Sequence, residues 1–139
     1  MVVIDASMAL AWLFERSKPE EADCAACLLS SMADVKTVVP TLWHTEIANA
    51  LLMGERRHVV NEAQVIDYLT LLSYLPITTD DAAPASRRDQ VMGLAREHKL
   101  TAYDATYLDL AFRNGAVLAT FDVELAEAVC RAGGTVFSS

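Results

Sequence analysis

The sequence predicts an α/β fold: a three-layer α/β/α sandwich around a central parallel sheet. Three observations carry this expectation. Short apolar runs without polar alternation, such as Val2–Ile4 and Ala116–Ala119, read as strands covered on both faces. Each is joined to the next by a stretch of helical periodicity, the order expected of a parallel sheet. The chain has 139 residues, 53% hydrophobic and 22% charged, which suits a single globular domain, residues 1–139, with a substantial core.

Taken in order, Val2–Ile4 is followed at once by an amphipathic helix over about Ser7–Glu15. Pro19, favoured at a first helical position, opens a second helix to about Met32. Thr37–Val39 is a second strand closed by Pro40, and Thr41 caps a third helix that runs to Gly54, a natural stop. Asn61 caps a fourth helix, to about Ser73, and Ile77–Thr79 is a third strand. Arg88–His98 reads as a helix, and Thr101 begins another that ends at Asn114 and Gly115. Ala116–Ala119 is a strand, Val123–Ala132 a helix stopped by Gly133 and Gly134, and Thr135–Phe137 a last strand. Repeats, low-complexity tracts and linkers are absent.

No apolar run approaches the roughly 18 residues of a membrane span. The opening MVVIDAS lacks the basic region of a signal peptide, so a cytoplasmic location is expected. Three cysteines argue against a disulfide framework. Cys24 and Cys27 form a C-x-x-C, but mid-helix and without the second pair that a zinc site needs; together with Cys130 they read as small buried thiols. The net charge of −8 sits awkwardly with a nucleic-acid partner, unless the acids are concentrated where cations bind.

Four acids stand out. In open parallel sheets, ligands bind beyond the carboxyl ends of the strands, where the strand order reverses. Asp5 ends the first strand and Asp122 follows Ala116–Ala119, so both would lie at that edge. Each could equally be the N-cap of the helix that follows. Glu46 shares a helical face with Leu42, Asn49, Ala50 and Met53, so its carboxylate emerges from a mostly apolar stripe, unless it reaches sideways to solvent. Asp104 shares a face with Leu108, Ala111 and Phe112; the alternative is a capping box with Thr101. On the same helix, Asp109 lies four residues before Arg113, as in an ordinary exposed ion pair. Four carboxylates in one cleft would repel one another and raise their own pKa values, a conflict that hard divalent ions remove. Two such ions would balance the four charges, which is the electrostatic logic of two-metal phosphoryl chemistry.

These segments resemble the PIN-domain family, and within it the VapC-type toxins of type II toxin–antitoxin systems. VVIDAS resembles the opening strand with its first acid, Asp5, and Ser7 two residues on. WHTEIANALL resembles the helix carrying the second acid, Glu46; LTAYDATYLDLA carries the third, Asp104; LATFDVEL matches the T-x-D signature in Thr120 and Asp122. Together the segments span nearly the whole chain in family order. The resemblance implies that Asp5, Glu46, Asp104 and Asp122 bind Mg²⁺, with Mn²⁺ substituting. It implies endoribonuclease cleavage leaving a 3′ hydroxyl and a 5′ phosphate, with Ser7 and Thr120 holding water or orienting the carboxylates. It also implies a homodimer, a small cognate antitoxin crossing the active-site groove, and an RNA substrate for which transfer RNA is the family-level expectation.

Arg56, Arg57, Arg87, Arg88 and Lys99 are candidate RNA contacts; solvated surface charge is the plainer reading of each. Trp12, Phe14 and Trp43 read as core, with an antitoxin groove as the alternative, and His44, without a partner acid or metal spacing, reads as structural. Among rivals, a phosphoacceptor receiver domain would want paired acids after the first strand and a lysine at a late strand end, both missing here. A nucleotide-binding module would want a glycine-rich phosphate loop, also missing. A non-catalytic PIN-like binding module could shed an acid freely, and this chain has all four.

Overall fold

A computed structural model describes all 139 residues. Four strands, β1 (Val2–Ile4), β2 (Thr37–Val39), β3 (Ile77–Thr79) and β4 (Val117–Ala119), form one parallel sheet in the order β3-β2-β1-β4. Val3 pairs with Val38 on one side and Leu118 on the other, and Val38 with Thr78. The chain leaves β1 toward β2 and β3 and later returns to β4 on the far side, so the order reverses between β1 and β4. That is the switch point at which open α/β sheets open a crevice.

Seven helices complete the fold: α1 (Ala6–Leu10), α2 (Pro19–Ser31), α3 (Thr41–Arg56), α4 (Glu62–Tyr74), α5 (Pro84–His98), α6 (Ala102–Asn114) and α7 (Val123–Arg131). Val2, Val3 and Ile4 are all buried although successive strand residues point to opposite faces, so both faces of the sheet are covered. α6 packs on β1 and β4, α5 and α7 pack on α6, and α1 packs on α3. The buried cluster runs from Val3 and Ile4 through Leu108 and Leu110 to Leu118 and Leu125. No helix is long and apolar enough to cross a membrane.

Several boundaries differ from the sequence expectation, each for a tertiary reason. The first helix stops at Leu10, and three-residue turns carry the chain to Phe14. There the Trp12 indole donates to the Ala25 carbonyl at 2.9 Å, tying the turn to α2. α3 continues past Gly54 to Arg56, so Gly54 is no stop. A Cβ there would sit 2.8 Å from the Phe14 ring, and close packing is what the glycine permits. α5 begins a turn early, at Pro84. The expected last strand is a single bridge, Leu118 to Val136, flanked by hydrogen bonds of 2.9 and 2.8 Å to Thr135 and Phe137. Only one residue of that segment aligns with β4. The thiols are free, but Cys27 and Cys130 are exposed and Cys24 is only half-buried, because Ala25 and Leu28 on α2 and Ala128 and Val129 on α7 take the inward positions.

Candidate active site

The four acids come from four places in the chain and meet at the switch point. Asp5 leaves β1 as the N-cap of α1, its Oδ1 accepting from the Met8 amide at 3.0 Å and the Ser7 hydroxyl at 2.7 Å. The Thr120 hydroxyl, just beyond β4, donates to its other oxygen, Oδ2. The Thr120 oxygen in turn accepts from the Asp122 amide at 2.9 Å, while the Ser7 oxygen accepts from the Phe121 amide at 3.0 Å. Two hydroxyls therefore splice the ends of β1 and β4 together around one buried carboxylate. The Asp5 amide adds a bond to the Ala119 carbonyl at 3.1 Å. Asp122 caps α7, its Oδ1 accepting from Leu125 at 2.9 Å. The capping and clustering readings of Asp5 and Asp122 are thus compatible: the cap orients each carboxyl group.

Glu46 and Asp104 approach from α3 and α6. The Tyr107 hydroxyl, one turn after Asp104, donates to Glu46 Oε1 at 2.5 Å and turns it inward instead of toward solvent. Asp104 receives only half of a capping box. Its amide donates to Thr101 Oγ1 at 3.2 Å, but its carboxylate gives nothing back and stays available to the cleft.

The electrostatics are those of an uncompensated acidic cleft. Burial pushes the Asp5 carboxyl up, against its hydrogen bonds from Thr120, Met8 and Ser7, and the Glu46 charge adds to the rise. Burial likewise raises Glu46, opposed by Tyr107 and assisted by Asp104. Asp104 is pushed up to about 6 by burial and then by the charges of Asp122, Asp5 and Glu124. Every charge acting on these three groups is another carboxylate, with no lysine or arginine among them. Such a donor set suits a hard divalent cation. No three His, Cys, Asp or Glu side chains stand close enough together in this structure to form a metal cage.

Three site residues escaped sequence reasoning. Tyr107 and Glu124 sit beside Asp104 and Asp122 in the chain, and their spacing alone could have flagged them. Arg16 was invisible: its guanidinium carbon lies 4.7 Å from the centre of the Phe121 ring, between Thr120 and Asp122 in sequence, across a contact of more than a hundred residues.

The expected exposed pair on α6 is something else. Asp109 is 4% exposed and grips two arginines, Arg87 at 2.6 and 3.0 Å and Arg113 at 3.1 Å; Arg113 also reaches Asp80 at 2.8 Å. Together the two guanidinium groups hold the Asp109 carboxyl below its usual range despite its burial. Arg87 is thereby committed to the protein. Arg88 is exposed beside it, Arg56 and Arg57 are exposed at the end of α3, and Lys99 is exposed in the left-handed cap of α5. Trp43 is core, Trp12 and Phe14 pack against it, and His44 bonds Thr79 at 2.8 Å, which is a structural role.

Residues 2–129 match the PIN domain family. The chain is 30% identical over 126 residues to Ribonuclease VapC3 of Pyrobaculum aerophilum, covering 91% of this chain and 92% of that one. Its fold is similar to the crystal structure of PAE2754 from Pyrobaculum aerophilum (TM-score 0.72, 26% identity, 97% of this chain and 87% of that one). It is also similar to that of FitAcB from Neisseria gonorrhoeae (TM-score 0.66, 16% identity, 99% and 97%), a likeness of fold alone. The order of the strands, the acids at the β1/β4 switch point and these matches agree: the chain belongs to the PIN domain family.

Proposed function

We propose that this protein is a Mg²⁺-dependent endoribonuclease, with Mn²⁺ substituting, and the toxin of a VapBC-type toxin–antitoxin pair. The observation that carries the reading is the acidic cleft, where burial and neighbouring carboxylates raise the pKa of Asp5, Glu46 and Asp104 with no basic side chain to balance them. The name of the relative, a VapC ribonuclease, supports the substrate class and the toxin role.

Asp5, Glu46, Asp104 and Asp122 would hold the ion or ions. Bound there, a divalent cation supplies the charge that attracts the phosphodiester and eases ionisation of the attacking water. The chain's own residues do the rest. Ser7 and Thr120 clamp Asp5 from either side, so this carboxylate keeps one orientation. Tyr107 holds Glu46 toward the cleft, and the cap on α7 fixes Asp122. Asp104 makes no protein hydrogen bond through its side chain and is free to adjust to a ligand.

RNA cleavage should require Mg²⁺ or Mn²⁺, stop with EDTA and collapse in Asp5→Asn. Cleavage by purified Asp5→Asn at the wild-type rate, with contaminating nuclease excluded, would end the catalytic assignment. A wild-type protein that binds RNA without cleaving it would instead make this a binding module. Transfer RNA is the first substrate to try. For the toxin role, the neighbouring gene is decisive: it should encode a small antitoxin whose co-expression relieves toxicity and suppresses cleavage. A cytoplasmic homodimer completes the proposal, and light scattering on the purified protein checks the stoichiometry.

A further inference from the structure

The acidic cleft attracts a metal, but an RNA strand also needs a path for the phosphates that do not react, and a chain of charge −8 has few cations to offer. A groove of about 410 Å³ begins at Ser7, the hydroxyl that holds Asp5, and runs between the turn after α1 and the C-terminal half of α3. Two cations, Arg16 and Arg57, and one acid, Glu15, line it with apolar residues that include Leu10, Phe14 and Met53, so its charged lining is net positive.

Arg16 is held ready. Its Nε and one terminal nitrogen both contact Glu21 Oε2, at 2.7 and 2.5 Å, and its planar face lies over Phe121. Its other terminal nitrogen has no protein acceptor. Phe121 is anchored through its amide to Ser7, so the guanidinium stands on the same backbone that positions Asp122. Arg57, at the end of α3, forms no ion pair. In contrast, Arg113 spends all three guanidinium nitrogens on Asp109 and Asp80.

We propose that this groove seats the RNA strand on one side of the reacting phosphate, with Arg16 and Arg57 each holding a non-reacting phosphate. The inference rests on the ribonuclease reading and deepens it. Arg16 is a positioning residue for the substrate, pre-set by Glu21 and Phe121; a planar, fixed guanidinium suits phosphate oxygens.

The test uses Arg16→Met and Arg57→Met, which keep the apolar stems and remove the charge. Binding of fluorescein-labelled mixed-sequence single-stranded RNA is followed by anisotropy with Ca²⁺ in place of Mg²⁺, across a salt series. Each variant should lower the slope of log affinity against log salt by roughly 0.7, the single-strand value for one phosphate contact. In Mg²⁺, KM should rise about tenfold, the scale of one charge-assisted hydrogen bond, while kcat changes little. The thermal shift with Mg²⁺ should be unaltered, since the carboxylates are intact. Arg16→Lys should restore the salt slope, which a merely structural role for Arg16 would not predict. If Arg16→Met folds poorly, the exposed Arg57→Met and the folded Arg16→Lys still decide the matter through slope and KM. Wild-type cleavage with unchanged slope and KM in the variants overturns the inference and leaves the groove to a protein partner. Wild-type protein that neither binds nor cleaves RNA refutes the ribonuclease reading itself.

Discussion

Asp104→Asn tests the electrostatic account of the cleft most directly, because the substitution is isosteric and the carboxylate makes no protein hydrogen bond to lose. Its pKa is pushed from 3.8 to about 6 by burial and by Asp122, Asp5 and Glu124. In full that difference corresponds to roughly 3 kcal/mol against folding at neutral pH. The side chain is only half-buried, so solvent screening leaves about 1.5 kcal/mol. An acid in the first turn of α6 returns about 0.5 kcal/mol through the helix dipole. Metal-free Asp104→Asn should therefore be about 1 kcal/mol more stable than wild type at neutral pH, a rise in Tm of about 3–4 °C for a chain this long. The sign with pH follows from the raised pKa. Below the ordinary value Asp104 is protonated in both states and the two proteins should converge. The penalty on wild type then grows as pH climbs from about 4 and is complete above about 6. Saturating Mg²⁺ should reverse the order: a ligand at a hundred times its Kd adds about 2.7 kcal/mol to the protein that binds it, and the variant has one donor fewer. Thermal melts in EDTA and in Mg²⁺, across that pH range, measure all of this. An Asp104→Asn variant no more stable than wild type in EDTA at neutral pH would refute the argument that burial and repulsion, unrelieved by any basic group, raise the Asp104 pKa.

Tyr107→Phe removes the 2.5 Å bond that opposes the rise in the Glu46 pKa, so divalent-metal binding should shift to higher pH and stability should fall by about 1–2 kcal/mol; metal titrations by calorimetry at several pH values read the first and melts the second. Asp109→Ala should cost about 1–3 kcal/mol, the scale of losing charge-assisted hydrogen bonds, because Arg87 and Arg113 are partly exposed and Arg113 keeps Asp80. Since its folded pKa is lowered, the stability Asp109 contributes is present above the ordinary carboxylate pKa and is lost as pH falls through the depressed value. Urea unfolding at neutral and acid pH should show wild type and variant drawing together only on the acid side. Gly54→Ala places a methyl 2.8 Å from the Phe14 ring and should cost about 1–3 kcal/mol by overpacking, seen as a lower urea midpoint.

The sequence by itself determined what is local. Val2–Ile4 and Thr37–Val39 had to be strands covered on both faces, Asn61 and Thr101 had to start helices, and four acids stood where an apolar pattern does not place acids. These follow from periodicity and capping, which act over a few residues. Long-range contacts decided the rest. Asp104 and Asp109 lie on one helix, and sequence spacing assigned the exposed pair to Asp109. Arg87, from α5, made Asp109 the buried one, and no local rule carries that information. Gly54 passed for a helix stop until Phe14, forty residues earlier in the chain, supplied the ring that needs its missing side chain. Arg16 gained meaning only when folding set it over Phe121. Chain pattern therefore determines which residues can be acids, caps or core. Which acid is paired with an arginine and which is left without one depends on which segments meet, and the order β3-β2-β1-β4 decides that.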